Sequence, residues 1–520
     1  MMQRFSPGCA GLIAALLILL IATSVAGQEW FGKGAPGTGG YTPVLTSNQA
    51  YMGNPSFAFK IQYGLGGSSG LLGLSLKQRS WYVGNTQILI SPWPLELLLL
   101  QWVNLGGQKN QPGVGTATVP LPIPGPPNPA LAGLDVYAQY IGVDYPTPGN
   151  PSASQGLRVE LTYPPLVFVG TSVGGSTDPY YLIDPLTRTL KHRGGVAQTD
   201  NVTAAAWAYG GKGLFVGSSI RNQVNYADVS SVPPSWRSIY TSAGSGCYGV
   251  GYDRVNRRLY TLTDPGTAAR ELVALDVTDP SSPAFGKRLG NTSGLSVGAA
   301  LVERWLLSPS GKQAAVLAMV GILGPVNLVL VDTDPMSINY LKSLIVTQVP
   351  ASGMHLTTRV AFTQDEKLVM VVIQNVGTTP GEIARYDIAT NTWLDHNSTQ
   401  SGIQNIGPNS VPPAMLGSAP TDIEIDPTGA FAVVCGFGGN GWAGRLDLKP
   451  GSPSYFSYQT LQPMATLPGA WACGLARDGS LMSIGTFPNA NLVLADPLTG
   501  TLIGTVGMTG ASNVYTAEHR

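Results

Sequence analysis

One short phrase recurs seven times between Leu182 and Thr499: an apolar run, an aspartate, then a cluster of turn-forming residues. The aspartates are Asp184 (LIDPLTRTL), Asp228 (YADVSS), Asp276 (ALDVTDP), Asp332 (LVDTDP), Asp387 (RYDIATN), Asp447 (RLDLKPGS) and Asp496 (LADPLTGTL), at spacings of 44, 48, 56, 55, 60 and 49 residues. A self-similar unit of that size, built of short strands and turns, is the signature of a β-propeller, in which each repeat is one blade. The aspartates themselves invite a reading as calcium ligands, but no D-x-D-x-D-G loop accompanies them. An aspartate closing a strand accepts hydrogen bonds from the amides of the turn that follows, so seven structural pegs are expected.

A second phrase alternates with the first: strand, tight polar turn, strand. It reads AAAWAYGGKGLFVGSS from Ala204, YGVGYDRVNRRLYTLT from Tyr248, WLLSPSGKQAAVLAM from Trp305, RVAFTQDEKLVMVVI from Arg359, DIEIDPTGAFAVVCG from Asp422 and CGLARDGSLMSIG from Cys473. Gly, Asn and Asp fill the turns because tightly joined antiparallel strands need positive φ or side-chain capping. Each hairpin, with the Asp-bearing strand and an outward partner, supplies four strands. The first repeat lacks the inner strand before LVFVGTSV at Leu166, whereas SNVYTAEHR at Ser512 to Arg520 follows the last outer strand. The C-terminal segment is therefore predicted to pair beside Leu166 to Val173 and complete the first blade, since an open sheet edge is a liability.

The pattern DIEIDPTGAFAVV followed by LADPLTGTLIGTV resembles the YVTN-type, lactonase-like seven-bladed propellers, over about 350 residues. The resemblance implies a seven-bladed ring; the repeats at Asp332 and Asp447 are overlong, and no catalytic residue of such enzymes maps here by motif.

Before the repeats the chain divides further. Residues 1–27 carry Arg4, an apolar core from Leu12 to Ala22 and small residues at Ser24 to Gly27, the layout of a secretory signal peptide. The apolar core is shorter than a membrane span requires, so no integral span is expected after its removal. Residues 28–50 are Gly/Pro-rich and read as an extended arm, with structure beginning near Tyr51. Over 51–164 run seven short β-like segments, with alternation in Phe57/Phe59/Ile61 and Leu157/Val159/Leu161, as in a β-sandwich. LELLLLQWV at Leu95 fits either a strand or a buried helical turn. GNPSFAFKI, LLGLSL, NPALAGLDVYAQYIGVDY and GLRVELTY together resemble an accessory module of secreted proteins of planctomycete-like bacteria, which implies export and a sandwich. Residues 165–520 form the propeller, so the fold class is all-β.

Composition narrows the partners. Only 11% of residues are charged and Lys+Arg equals Asp+Glu at 29 each, which leaves no basic footprint for nucleic acid or an anionic membrane. Beyond the signal segment the cysteines are Cys247, Cys435 and Cys473. Cys435 and Cys473 fall in neighbouring repeats, where either a pair or two free buried thiols is compatible with the sequence.

Propellers bind at the channel mouth, to which the loops before the inner strands bring Tyr248, His355, Thr421 and Trp471. Tyr248 and Trp471 are aromatic platforms suited to sugar faces or cations, and equally to covering blade edges. Alternation puts Asp422 and Glu424 on one face of the sixth inner strand, and Arg359 on the polar face of the fifth. Arg359 is thus expected to meet one of the two carboxylates, either at a reactive site or simply to balance charge. His355 is the one histidine at the mouth; the four histidines show no metal spacing, no G-x-S-x-G elbow is present, and no cofactor is expected. The reading that follows is a secreted or cell-surface protein binding a carbohydrate or protein partner without catalysis. The alternatives are a lactonase-like hydrolase using Arg359, Asp422 or Glu424, and His355, and a passive cell-surface structural protein.

Overall fold

The structure is a computed structural model, and it describes residues 28–519 except 148–149, 173–179, 197–201, 203, 219–221, 245, 264–269, 293–294, 296–301, 320–325, 350–354, 376–380, 395–418, 427–428, 438–440, 450–451, 462–468, 477–478, 487–490 and 509–512. Its regular structure is strand, with three short 3₁₀ turns and no α-helix among the described residues. No described helix is long and apolar enough to cross a membrane. The chain divides into two compact units between Pro164 and Pro165.

In the first unit one sheet orders Gln28–Phe31, Gly156–Glu160, Asp135–Thr147, Ser69–Ser75 and Leu97–Asn104, with Asn150–Ala153 also on Asp135–Thr147. A second sheet orders Val44–Ser47, Ala58–Gly64 and Gly115–Pro120. Phe57, Phe59, Ile61 and Val119 pack with Leu72, Leu74, Tyr140, Leu157 and Val159 in one core, so the two sheets share the apolar face that each presents at every second residue.

One expectation is corrected here. Residues 28–50 are no free arm: Gln28–Phe31 pairs antiparallel with Gly156–Glu160, Val44–Ser47 pairs with Ala58–Gly64, and the Trp30 indole N–H donates to the Leu45 carbonyl at 2.9 Å. The Gly/Pro content of this stretch hides short edge strands whose aromatics do the anchoring, Phe31 meeting Tyr137 edge-on at 5.6 Å. The leucine run is an edge strand, Leu97–Asn104, in keeping with the strand reading of LELLLLQWV. Its alternate residues Leu98, Leu100 and Trp102 are 50%, 52% and 56% exposed, so its apolar run is not explained by burial on both faces.

The second unit holds seven four-stranded antiparallel sheets among the described residues. The innermost strands are Asn513–His519, Ala204–Ala208, Cys247–Asp253, Val302–Leu307, His355–Phe362, Pro420–Ile425 and Ala470–Leu475. Each packs on the next, Ala470–Leu475 on Asn513–His519, and Asn513–His519 on Ala204–Ala208, so the sequence of contacts is cyclic. The cores lie between successive sheets: Tyr260, Leu262 and Ala274 of the third sheet pack with Trp305, Val316 and Val329 of the fourth. Close approach there requires missing side chains, since a Cβ on Gly249 would stand 2.4 Å from the Trp305 Nε1 and one on Gly251 2.8 Å from the same ring.

The chain's last described strand pairs antiparallel with Val167–Ser172, aligning Val167 with His519, Val169 with Ala517 and Ser172 with Asn513. The C-terminal segment thus supplies the inner strand that the first repeat lacks, as the phrase count predicts. On its other side the seventh sheet comes so near that a Cβ at Gly474 would stand 2.1 Å from the Ala517 carbonyl oxygen.

All seven repeated aspartates act as turn caps. Asp184 Oδ1 accepts from the amides of Leu186 and Thr187 at 2.9 and 3.1 Å, Asp496 Oδ1 from Leu498 and Thr499 at 2.7 and 3.1 Å. Asp228, Asp276, Asp332, Asp387 and Asp447 each take an amide two or three residues ahead, at 2.9 to 3.0 Å. The amide and hydroxyl of Thr278 hold the Asp276 carboxyl below its ordinary value, as expected where hydrogen bonds favour the charged form.

Candidate functional site

Tyr248, His355, Thr421 and Trp471 stand within the first two residues of the inner strands of the third, fifth, sixth and seventh sheets, and Arg359, Asp422 and Glu424 lie further along the fifth and sixth. At the centre stands Asp422, 0% exposed, on the inner strand Pro420–Ile425. Arg359, on the neighbouring inner strand His355–Phe362, ion-pairs with it through Nε to Oδ1, while Nη2 lies 3.4 Å from Oδ2. A register shift between Thr357 and Arg359 accompanies this placement; a bulge of that kind re-aims side chains. Asp422 Oδ2 also accepts the amide of Cys473, on the next inner strand, at 3.0 Å, and Oδ1 the amide of Ile423 at 3.0 Å.

One carboxylate therefore ties three successive inner strands. Sequence alternation predicts that Arg359 meets Asp422 or Glu424, and the pair with Asp422 forms; the Asp422 carboxylate is fully enclosed and engaged by three donors. A buried charge is stable only when so paired and hydrogen-bonded. Thr421 is likewise turned inward, its hydroxyl donating to the Ala470 carbonyl at 3.1 Å. Glu424, two residues along the same face, is half-buried, and its charge helps to push the Cys473 thiol up.

The two aromatic candidates differ. Tyr248 is half-buried, with the Arg270 guanidinium carbon 4.2 Å above its ring centroid. A cation thus already covers that face. Trp471 is half-buried and meets the exposed ring of Phe437 edge-on, with centroids 5.9 Å apart. Phe437 follows the strand Phe431–Gly436, the antiparallel partner of Pro420–Ile425, so its ring belongs to the same end of the sixth sheet. Sequence reasoning missed Phe437 and Arg270. The signal for Phe437 is an aromatic directly after an apolar strand and before Gly438-Gly439; Arg270 carries none.

His355 aligns with Asn375 in the ladder, and its side chain lies outside the described residues. No group of three or more metal-ligating side chains converges among the described residues.

No family model matches the chain, and no curated protein is significantly similar to it. Among solved structures it is similar to the Pseudomonas aeruginosa periplasmic gluconolactonase PpgL at 12% identity, covering 68% of this chain and 98% of that one, with a TM-score of 0.49. It is similar at 12% identity to a putative 6-phosphogluconolactonase from Bacteroides uniformis, covering 69% and 100%, TM-score 0.48. A third is the β-propeller domain of Myceliophteria thermophila Cps50 (Swd1), at 14% identity, 59% and 87% coverage and a TM-score of 0.42.

Proposed function

We propose that this chain is an exported binding or scaffold protein, a β-sandwich followed by a seven-bladed propeller, and that the end of the ring where the inner strands begin receives a carbohydrate or protein partner. The ring reading is supported by the cyclic order of inner strands and by the closing strand Asn513–His519. Export is supported by the N-terminal sequence layout, and the sandwich by the core common to both sheets of the first unit.

The observation that carries the binding site is the Trp471–Phe437 pair, with one ring exposed and the other half-buried. Exposed aromatic faces at a rigid strand end suit the apolar faces of sugar rings or an aromatic or cationic side chain. The buried Arg359–Asp422–Cys473 junction fixes the strand that carries Trp471, and a preorganised platform loses less conformational freedom on binding.

A glycan array probed with the full chain tests this, followed by titration of the hits against tryptophan fluorescence. Binding that persists in Glu424→Gln and is lost in both Trp471→Ala and Phe437→Ala is the expected result. A ligand whose affinity is unchanged in both aromatic variants would overturn the site assignment.

A further inference from the structure

Cys435 and Cys473 are free thiols, both buried, on elements of two different sheets. Cys435 lies on Phe431–Gly436, the second strand of the sixth sheet, and Cys473 on Ala470–Leu475, the inner strand of the seventh. The two share one core cluster with Val433, Ala443, Ala470 and Ile484, and the neighbouring Cys435 thiol is the largest of the influences that push the Cys473 thiol up. Among the described residues no β-ladder joins one sheet of this unit to the next.

The surrounding polar groups hold both cysteines in place. Asp422 stands opposite Cys435 in the ladder and takes the Cys473 amide at 3.0 Å. The Thr421 hydroxyl lies 3.6 Å from the Cys435 sulfur and bonds the Ala470 carbonyl, three residues before Cys473. The Cys473 sulfur in turn lies 3.7 Å from the Val433 carbonyl, two residues before Cys435.

We propose that Cys435 and Cys473 form a dithiol that closes, under an oxidising thiol–disulfide balance, into a disulfide linking the sixth and seventh sheets. The oxidant is a low-molecular-weight disulfide. One protein thiolate attacks it, forming a mixed disulfide and releasing one small thiol. The second protein thiolate then attacks the mixed disulfide and releases the other. Two protein thiols lose two electrons in total, the small disulfide is reduced to two thiols, and the protons of the cysteines pass to the released thiolates.

The setting makes this a slow staple. The neighbouring Cys435 thiol, burial and the charges of Asp422 and Glu424 all push the Cys473 thiol up, which keeps the attacking thiolate scarce at neutral pH. Closure therefore speeds up with rising pH. Cys247 is an internal control: it is buried in a separate cluster with no second cysteine, and burial pushes it up to about 12.

The test equilibrates the full chain over a series of oxidised-to-reduced glutathione ratios at mildly alkaline pH, then traps free thiols with an alkylating agent in denaturant without reductant and maps the peptides. The expected result is a cross-linked Cys435–Cys473 peptide pair that forms with a single midpoint while Cys247 stays alkylated. The oxidised protein should melt higher than the reduced one by roughly 5 °C, the scale expected for a loop of this length. Alkylation of both thiols at the most oxidising ratio, or glutathione adducts that persist without closing, would overturn the proposal. The wild-type chain carries the readout, so it does not depend on whether a cysteine variant folds.

Discussion

Deleting the residues after Gly510 should destabilise the whole second unit, although the segment is only ten residues long. The strand Asn513–His519 aligns six residue pairs with Val167–Ser172. At about 1 kcal/mol net per hydrogen bond, the ladder sets a scale of roughly 6 kcal/mol. The ordering entropy that the truncated chain no longer loses offsets part of it. Losing the strand also uncovers one side of a core in which Ala517 packs with Val167, Val169, Ala472 and Leu492. A net loss of roughly 3–5 kcal/mol remains, a large fraction of the 5–15 kcal/mol typical of a folded domain. At about 1.3 °C per kcal/mol for a unit of this size, the melting temperature should fall by roughly 4–7 °C. Differential scanning calorimetry of the truncated and full chains measures it, with deletion of Arg520 alone as the control. A truncated chain that melts within a degree of the full one would refute the closure argument.

Further outcomes follow from the same contacts. Arg359→Ala leaves the enclosed Asp422 carboxylate without its cation and should cost about 3 kcal/mol, more than Asp422→Asn, which keeps an acceptor for one of the amides; chemical denaturation of both variants orders them. Asp276→Ala removes a turn cap whose acceptor is charged but near solvent, and should cost about 1 kcal/mol with no change in affinity for any ligand found, since the caps lie away from the proposed site. Treatment with a calcium chelator should leave the melting curve unchanged, because each of the seven aspartates is engaged by its own turn. Burial pushes His519 down to about 3. Above the ordinary histidine value near 6.5 the ring is neutral in both folded and unfolded chains; below it the unfolded chain takes up a proton that the folded chain refuses. Stability should therefore fall by about 1.4 kcal/mol per pH unit between about 6.5 and 3, and His519→Leu should flatten that slope in melting curves taken against pH.

The sequence made the second unit legible because its rules are local. An aspartate two or three residues before an amide, and a hairpin turn between alternating strands, are decided within a dozen residues, so Asp184 through Asp496 and the strand at Ser512 could be assigned by counting. The first unit was harder. Gln28–Phe31 has no alternation to betray it and owes its place to Gly156–Glu160, more than a hundred residues away; Gln78–Val83 is exposed throughout and shows no period either. At the candidate site, alternation found Arg359 and Asp422 but misjudged their surroundings. Which face of an inner strand meets the next sheet depends on register shifts such as those at Thr357/Arg359 and Pro420/Asp422, and a shift of one residue exchanges the two faces.

That register dependence bears on where selectivity can arise. The capped turns repeat because every sheet needs the same one, and a feature needed seven times distinguishes no ligand. Some contacts between sheets are particular to one pair of sheets. The third and fourth meet through Trp305 lying on Gly249 and Gly251, whereas the fifth, sixth and seventh meet through Arg359, Asp422 and the amide of Cys473. An enclosed ion pair is a poor source of net stability beside an apolar contact of the same volume, so its presence here is better explained by geometry: it fixes the mutual position of three inner strands. Trp471 lies two residues before Cys473, on the strand whose amide that carboxylate holds. Loosening the junction should accordingly reach the aromatic pair before it reaches the remote sheets, and Asp422→Asn should weaken ligand binding at Trp471 under conditions where the ring is still fully folded.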